Sequence, residues 1–111
     1  MGVVRDAQFG PLVMFGSGGV EVEGLKDVAF GLAPLTAGEI ESMLEKTWAG
    51  RKLKGFRSLA PADRGAVRDA LVRLGQLALD CPQIAEIEIN PLLVLAEGQG
   101  AAVVDVRVRR I

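Results

Sequence analysis

Two alternating segments near the C-terminus constrain this chain most. In Glu86-Ile87-Glu88-Ile89-Asn90-Pro91-Leu92 and in Val103-Val104-Asp105-Val106-Arg107, polar and apolar residues take turns. Successive side chains of a β-strand point to opposite faces, so each segment reads as a half-buried strand. Glu86, Glu88 and Asn90 share one face of the first, with Ile87 and Ile89 on the other. Asp105, Arg107 and Arg109 line one face of the second, opposite Val104, Val106 and Val108. Glu97-Gly98-Gln99-Gly100 between them carries the turn residues of a β-hairpin connection. Oxygen ligands on two neighbouring strands then come within reach of one another. A hard cation such as Mg²⁺ uses such a pair when it also holds nucleotide phosphates.

Composition bounds the rest. A chain of 111 residues makes one small domain that buries roughly 65% of its unfolded surface, enough for a core without staples. With 50% apolar residues and a net charge of −1, neither disorder nor bulk attraction to nucleic acid is indicated. Cys81 is the single cysteine and cannot form an internal disulfide; beside Asp80 and Pro82 it reads as a small buried residue rather than a nucleophile. No charged-then-apolar leader and no long apolar run occurs, so the expectation is a soluble cytoplasmic chain without a membrane partner. Histidine and tyrosine are absent, which removes the commonest general base and metal ligand. Any histidine chemistry must come from elsewhere.

Along the chain, Phe9 to Phe15 reads as a strand that stops at Gly16-Ser17-Gly18-Gly19, where the backbone is free to turn. Val20-Glu21-Val22-Glu23 alternates, and Val28 to Ala33 is a second buried strand halted by Pro34. Thr36-Ala37-Gly38-Glu39 has the form of a capping box, predicting a helix over 37–47 with Ile40, Met43 and Leu44 on one face. Residues 48–59 carry Gly50, Gly55 and the cations Arg51, Lys52, Lys54 and Arg57, and read as a basic loop. Pro61 suits the first turn of a second helix, complemented by Asp63. Val67, Leu71, Leu74 and Ala78, flanked by Ala70 and Leu77, give that helix an apolar face up to Pro82. The order is strand, strand, helix, helix, strand, strand. It predicts an α+β fold, a mostly antiparallel four-stranded sheet with two helices packed on one face.

Several segments together resemble one family. Phe9-Gly10-Pro11 with Val13-Met14-Phe15-Gly16, Gly18-Gly19, Asp27-Val28-Ala29-Phe30, Leu32-Ala33-Pro34-Leu35, Leu53-Lys54-Gly55-Phe56-Arg57 and Glu88-Ile89-Asn90-Pro91-Leu92 occur in order across nearly the whole chain. They are similar to the ATP-grasp domain of ADP-forming acyl-CoA synthetases, including acetate–CoA ligases, and more distantly to the succinyl-CoA synthetase β subunit. The resemblance implies that residues 1–111 form the C-terminal ATP-grasp subdomain of an enzyme turning acyl-CoA, ADP and phosphate into acid, CoA and ATP. It implies Mg²⁺ and ATP or ADP as cofactors, with Asn90 and Asp105 as metal ligands. Glu88 would lie beside the phosphoryl-transfer site, and Gly18, Gly19 and Arg57 are the cofactor-binding candidates. The implied partners are the other ATP-grasp half and the CoA-binding and phosphohistidine domains. The isolated chain is expected to be inactive. Ser58 follows Arg57 where the family pattern has glycine, which puts that loop's conformation in question.

Each feature has a plainer reading. Glu86 and Glu88 can be solvated acids paired across the hairpin with Arg107 and Arg109. Gly16 to Gly19 can be a chain reversal, the basic cluster a solvated loop, and Trp48 a packing residue. Arg107-Val108-Arg109-Arg110 does not suggest nucleic acid at this net charge. The alternative to a nucleotide site is a non-catalytic interaction or dimerisation module on the same fold.

Overall fold

The computed structural model describes the backbone of residues 1–20 and 26–111 and the side chains of 1–17 and 26–111. Three strands come first: β1 (Gly2–Asp6), β2 (Gly10–Val20) and β3 (Lys26–Leu32). The helices α1 (Ala37–Lys46), α2 (Trp48–Arg51) and α3 (Arg64–Asp80) follow, with a 3₁₀ turn at Lys52–Lys54 after α2. Strands β4 (Ile84–Ile89), β5 (Leu92–Val94), β6 (Ala101–Val103) and β7 (Val106–Arg110) complete the chain. The main sheet has the order β3-β2-β1-β4-β7, and β5 and β6 form a separate two-stranded ladder. All pairings are antiparallel. The α+β class is as predicted.

The strand count differs from the prediction, and the cause is β1. Its apolar content is only Val3 and Val4 before Arg5 and Asp6, too short a run to read as a strand. Yet it lies at the centre, where Val3 faces Val13 on one side and Ile87 on the other. These three side chains are at most 2% exposed, so they form one apolar row under the helices. Val67, Leu71, Leu74 and Ala78 of α3 and Ile40, Met43 and Leu44 of α1 close the core above them, as their helical spacing predicts. Leu77 is the exception, at 46% exposed. Gly75 brings α3 down onto the sheet, since a Cβ there would lie 3.2 Å from the Ala33 Cβ and 3.4 Å from a Val13 methyl.

The helix boundaries follow capping chemistry. Thr36 Oγ1 accepts from the Glu39 N–H while Glu39 Oε1 accepts from the Thr36 N–H, the predicted capping box. Residues 48–54, predicted as a loop, are helical instead: Thr47 Oγ1 accepts from the Gly50 N–H at 3.1 Å, and Asp27 accepts from the N–H groups of Trp48 and Ala49. Two oxygen acceptors supplied from outside thus start a helix of only four residues. Pro61 does not open α3. Asp63 is the N-cap, its Oδ1 accepting from the Ala66 N–H at 2.9 Å, and the helix begins at Arg64. At the other end Arg5 donates to the carbonyls of Ala78 (2.5 Å), Cys81 (3.1 Å) and Ile84 (2.8 Å). A guanidinium there satisfies orphan carbonyls and opposes the negative end of the helix dipole. Arg5→Ala is therefore expected to destabilise the fold by about 2 kcal/mol, with Arg5→Lys recovering part of it. Urea unfolding at pH 7 measures this, and a loss within error of zero refutes the capping role.

The strand β2 does not end at Gly16. It continues to Val20, pairing with β3 through Gly16 opposite Val28 and Val20 opposite Lys26, with a register shift between. Gly18 and Gly19 therefore belong to a strand rather than to the predicted turn. Glu21, Val22 and Glu23 of the predicted alternating segment lie outside the described residues.

Candidate functional site

The predicted hairpin exists, but in two pieces. Glu86 faces Arg109, Glu88 faces Arg107 and Ile89 faces Val106 in the β4–β7 ladder. Leu92 faces Val103 and Val94 faces Ala101 in the β5–β6 ladder. Between them the Asn90 N–H donates to the Asp105 carbonyl at 3.1 Å and the Val104 N–H to the Pro91 carbonyl at 3.1 Å. Pro91 has no N–H to give a ladder; the Asn90–Pro91 peptide bond is cis. Asn90 and Asp105 are thus direct cross-strand neighbours at the joint. Both are exposed.

The hairpin tip folds back on α3. The predicted turn residues sit there, with the Gln99 N–H donating to the Ala96 carbonyl and the Leu95 N–H to the Gly100 carbonyl. Gly100 donates its N–H to Asp63 Oδ2 at 2.8 Å, and the Asp63 N–H donates to the Leu95 carbonyl at 2.9 Å. One carboxylate therefore caps α3 and holds the tip. The Ala66 and Gly100 N–H groups keep the Asp63 carboxyl below its usual value. At Asp27, burial pushes the carboxyl up. Hydrogen bonds from the Ser17 hydroxyl and the Ala49 and Trp48 N–H groups outweigh it and leave the group below normal. Both carboxyls bind protons more weakly folded than unfolded. Their stabilisation is complete above the unfolded aspartate pKa of about 3.9 and is lost as pH falls through the folded values. Asp63→Asn should lower Tm at pH 7, and the gap to the parent protein should narrow between about pH 5 and pH 3; a gap constant across that range refutes the assignment.

A cavity of about 630 Å³ opens where β1 begins and β4 ends. Glu86, Glu88, Asn90, Ser17 and Lys52 line it with polar groups, against an apolar wall that includes Met14, Phe15 and Leu53. The structure therefore brings the predicted Glu88 and Asn90 to one cavity and sets Asp105 across the ladder from Asn90. Glu86 pairs with Arg109 at 3.2 Å, as the cross-strand reading expects, whereas Glu88 makes no ion pair among the described residues. Arg57 is outside the cavity lining. It takes a φ of 53° in a two-residue turn closed by Phe56 and Leu59, and its guanidinium lies 5.3 Å from the Phe56 ring centre. The glycine of the family pattern at position 58 is not what this turn uses, since the left-handed residue is Arg57. Trp48 packs edge-on against Phe56 at 5.9 Å between ring centres, and Cys81 is half-buried beside the Arg5 cap.

Lys52 is the functional candidate that sequence reasoning did not single out. In the sequence it is one of four cations in a basic segment, and only the helical path of residues 48–54 turns it toward the cavity.

Asn90 offers an amide oxygen and Asp105 a carboxylate, the hard donors that Mg²⁺ prefers. Among the described residues no group of three or more histidine, cysteine, aspartate or glutamate side chains is arranged to hold a metal. A cation held by Asn90 and Asp105 would therefore need further oxygens, such as those of phosphate and water. Also among the described residues, no helix is long and apolar enough to cross a membrane.

Comparison with known proteins bears on the family. The chain is 48% identical over 107 residues to ADP-forming acetate–CoA ligase I of Archaeoglobus fulgidus, covering 96% of this chain and 15% of that protein. It is 45% identical over 107 residues to the β subunit of ADP-forming acetate–CoA ligase I of Pyrococcus furiosus, covering 96% of this chain and 45% of that subunit. The chain thus spans less than half the length of these relatives. In structure it is similar to the dinucleotide-forming acetyl-CoA synthetase 1 of Candidatus Korarchaeum cryptofilum solved with coenzyme A and Mg-AMPPCP, in which the phosphohistidine segment points towards the nucleotide-binding site. The TM-score is 0.88 at 44% identity, covering 99% of this chain and 51% of that one. A model of the ATP-grasp domain matches residues 1–109, almost end to end, and the chain belongs to the ATP-grasp domain family.

Proposed function

We propose that this chain is the C-terminal ATP-grasp subdomain of a cytoplasmic ADP-forming acyl-CoA synthetase and forms one wall of its phosphoryl-transfer site. The observation that carries the reading is the joint at which Asn90 and Asp105 meet, beside a cavity that also contains Glu88. Asn90 and Asp105 are the residues that would hold a nucleotide-bound Mg²⁺, which when bound screens phosphate oxygens. Two protein oxygens suit a metal that completes its shell with phosphate and water. Glu88 is aligned on the cavity by β4 and leaves Arg107, its ladder partner, without an ion pair among the described residues. It is placed to orient a donor N–H, such as that of a phosphorylated imidazole, and the chain has no histidine of its own. Gly16 and Ser17 line the same cavity, and Gly18 and Gly19 continue that strand with N–H groups for phosphate; Arg57 is the outer anion contact of the reading. Phosphoryl transfer depends on positioning and charge screening, which is what such a wall provides.

The partners in this reading are the complementary ATP-grasp half and the CoA-binding and phosphohistidine domains. Half a cleft binds nucleotide weakly, so the test is comparative. Mg-ADP titrated into this chain alone and into the chain joined to an N-terminal ATP-grasp half should bind more tightly in the second case. Equal affinity in the two, or a stable homo-oligomer of this chain with no nucleotide response, supports an interaction module instead.

A further inference from the structure

Four cations crowd the segment 51–57, and the fold gives three of them local partners. Arg51 Nη1 donates to the Glu45 carbonyl at 3.1 Å. Lys54 pairs with the Glu45 carboxylate at 2.6 Å. Arg57 covers the Phe56 ring. Lys52 makes no ion pair and no side-chain hydrogen bond among the described residues, and it is the only lysine or arginine among those that line the cavity containing Glu86, Glu88 and Asn90.

Its backbone is fixed on both sides. The Lys52 N–H closes the end of α2 on the carbonyls of Gly50 and Trp48, and its carbonyl accepts from the Gly55 N–H at 3.1 Å. The next residue, Leu53, is 6% exposed and anchors the turn in the core. Lys52 is half-buried and lines the cavity, and a lysine so held can lay its apolar stem along a wall while its ammonium stays in water. Electrostatics then assigns it a task. A phosphoryl group entering this cavity meets Glu88, which makes no ion pair among the described residues, beside Glu86, which Arg109 already pairs, and a like charge at close range opposes its binding. A compact ammonium is the group that offsets this repulsion while leaving phosphate oxygens free for other ligands.

We infer that Lys52 is the protein's own phosphoryl-contacting cation, binding the terminal phosphoryl oxygens at the Glu88 and Asn90 cavity. The inference rests on the proposed nucleotide reading for its ligand and on Lys52 alone for its contact. The shared chemistry is a phosphoryl group, whether on a nucleotide or on a phosphorylated imidazole.

Backbone NMR of the 111-residue chain tests it, with Mg-ADP, inorganic phosphate and phosphoramidate as separate probes. Shifts are expected at Leu53, Glu88 and Ile89. Lys52→Met should weaken the response by about tenfold or more, the loss of one charged hydrogen bond, while Lys52→Arg retains most of it. Dispersed spectra of both variants establish that they fold. A stronger response to Mg-ADP than to phosphoramidate assigns the contact to the nucleotide, and the reverse assigns it to the phosphorylated imidazole. Mn²⁺ added with ADP reports the metal separately, by broadening Asn90 and Asp105 equally in the parent chain and in Lys52→Met. Loss of that broadening with Lys52-dependent shifts intact overturns the metal reading and leaves Lys52 standing. Unchanged affinity in Lys52→Met, or no cavity response to any of the three anions, overturns the inference.

Discussion

Asp105→Ala and Asn90→Ala, each introduced into an assembled synthetase carrying this chain, are expected to slow phosphoryl transfer about 10²- to 10³-fold, the usual cost of removing one preorganised electrostatic contact. The two residues sit on opposite strands at a joint closed by the Asn90 N–H and the Asp105 carbonyl, so one cation can draw on both. If they act through one metal, the double variant loses little more than either single one, because removing one ligand already disables the shared unit. Both side chains are exposed, and surface replacements shift stability by no more than about 0.5 kcal/mol. Tm should therefore hold while activity falls. Turnover at saturating Mg-ADP, measured with thermal melts, decides the matter. If the two sites form only a solvated strand face, both variants keep their activity to within about twofold, since exposed cross-strand contacts contribute only tenths of a kcal/mol.

Gly50→Ala should destabilise the chain by about 3 kcal/mol, as much as emptying a core position. Gly50 is buried in α2, and a Cβ there would fall 2.1 Å from the Leu44 carbonyl oxygen and 2.5 Å from its Cα. Those are main-chain atoms of α1, which cannot swing aside as a side chain does, so α2 must lift away. Leu71→Ala is the matched comparison. Leu71 is fully buried, and its truncation costs about 2 to 5 kcal/mol through lost contacts and the cavity left behind. For a domain of this size each kcal/mol lowers Tm by about 4 to 8 °C. A Gly50→Ala variant that melts within about 3 °C of the parent protein would falsify the close approach of α1 and α2.

The parts of the fold that were legible in the sequence are those where one residue pattern decides the outcome. The capping box at Thr36 and Glu39 needs only neighbours in sequence, and the apolar spacing of Val67, Leu71, Leu74 and Ala78 needs only helical geometry. β1 was not legible because its place between β2 and β4 comes from partners far away in the chain, not from its two valines. The short helix α2 was missed for the same reason: part of its N-cap comes from Asp27 on β3. Within the candidate site, alternation put Glu86, Glu88 and Asn90 on one strand face and Asp105 on another, the family resemblance singled out Glu88, Asn90 and Asp105, and neither showed the break at Pro91. Lys52 was hidden among equivalent cations until the fold gave Arg51, Lys54 and Arg57 other neighbours.

The hold of Asp63 on Gly100 has a bearing on how tightly the site can grip. The β5–β6 tip is a lever beyond the joint, and if it swung freely the distance between Asn90 and Asp105 would fluctuate with it. Anchoring the lever to the start of α3 reinforces the direct Asn90–Asp105 hydrogen bond, so at the proposed site binding would spend little on ordering the loop. Releasing the anchor with Asp63→Ala would then act on affinity from a distance, through a looser bite rather than a lost contact.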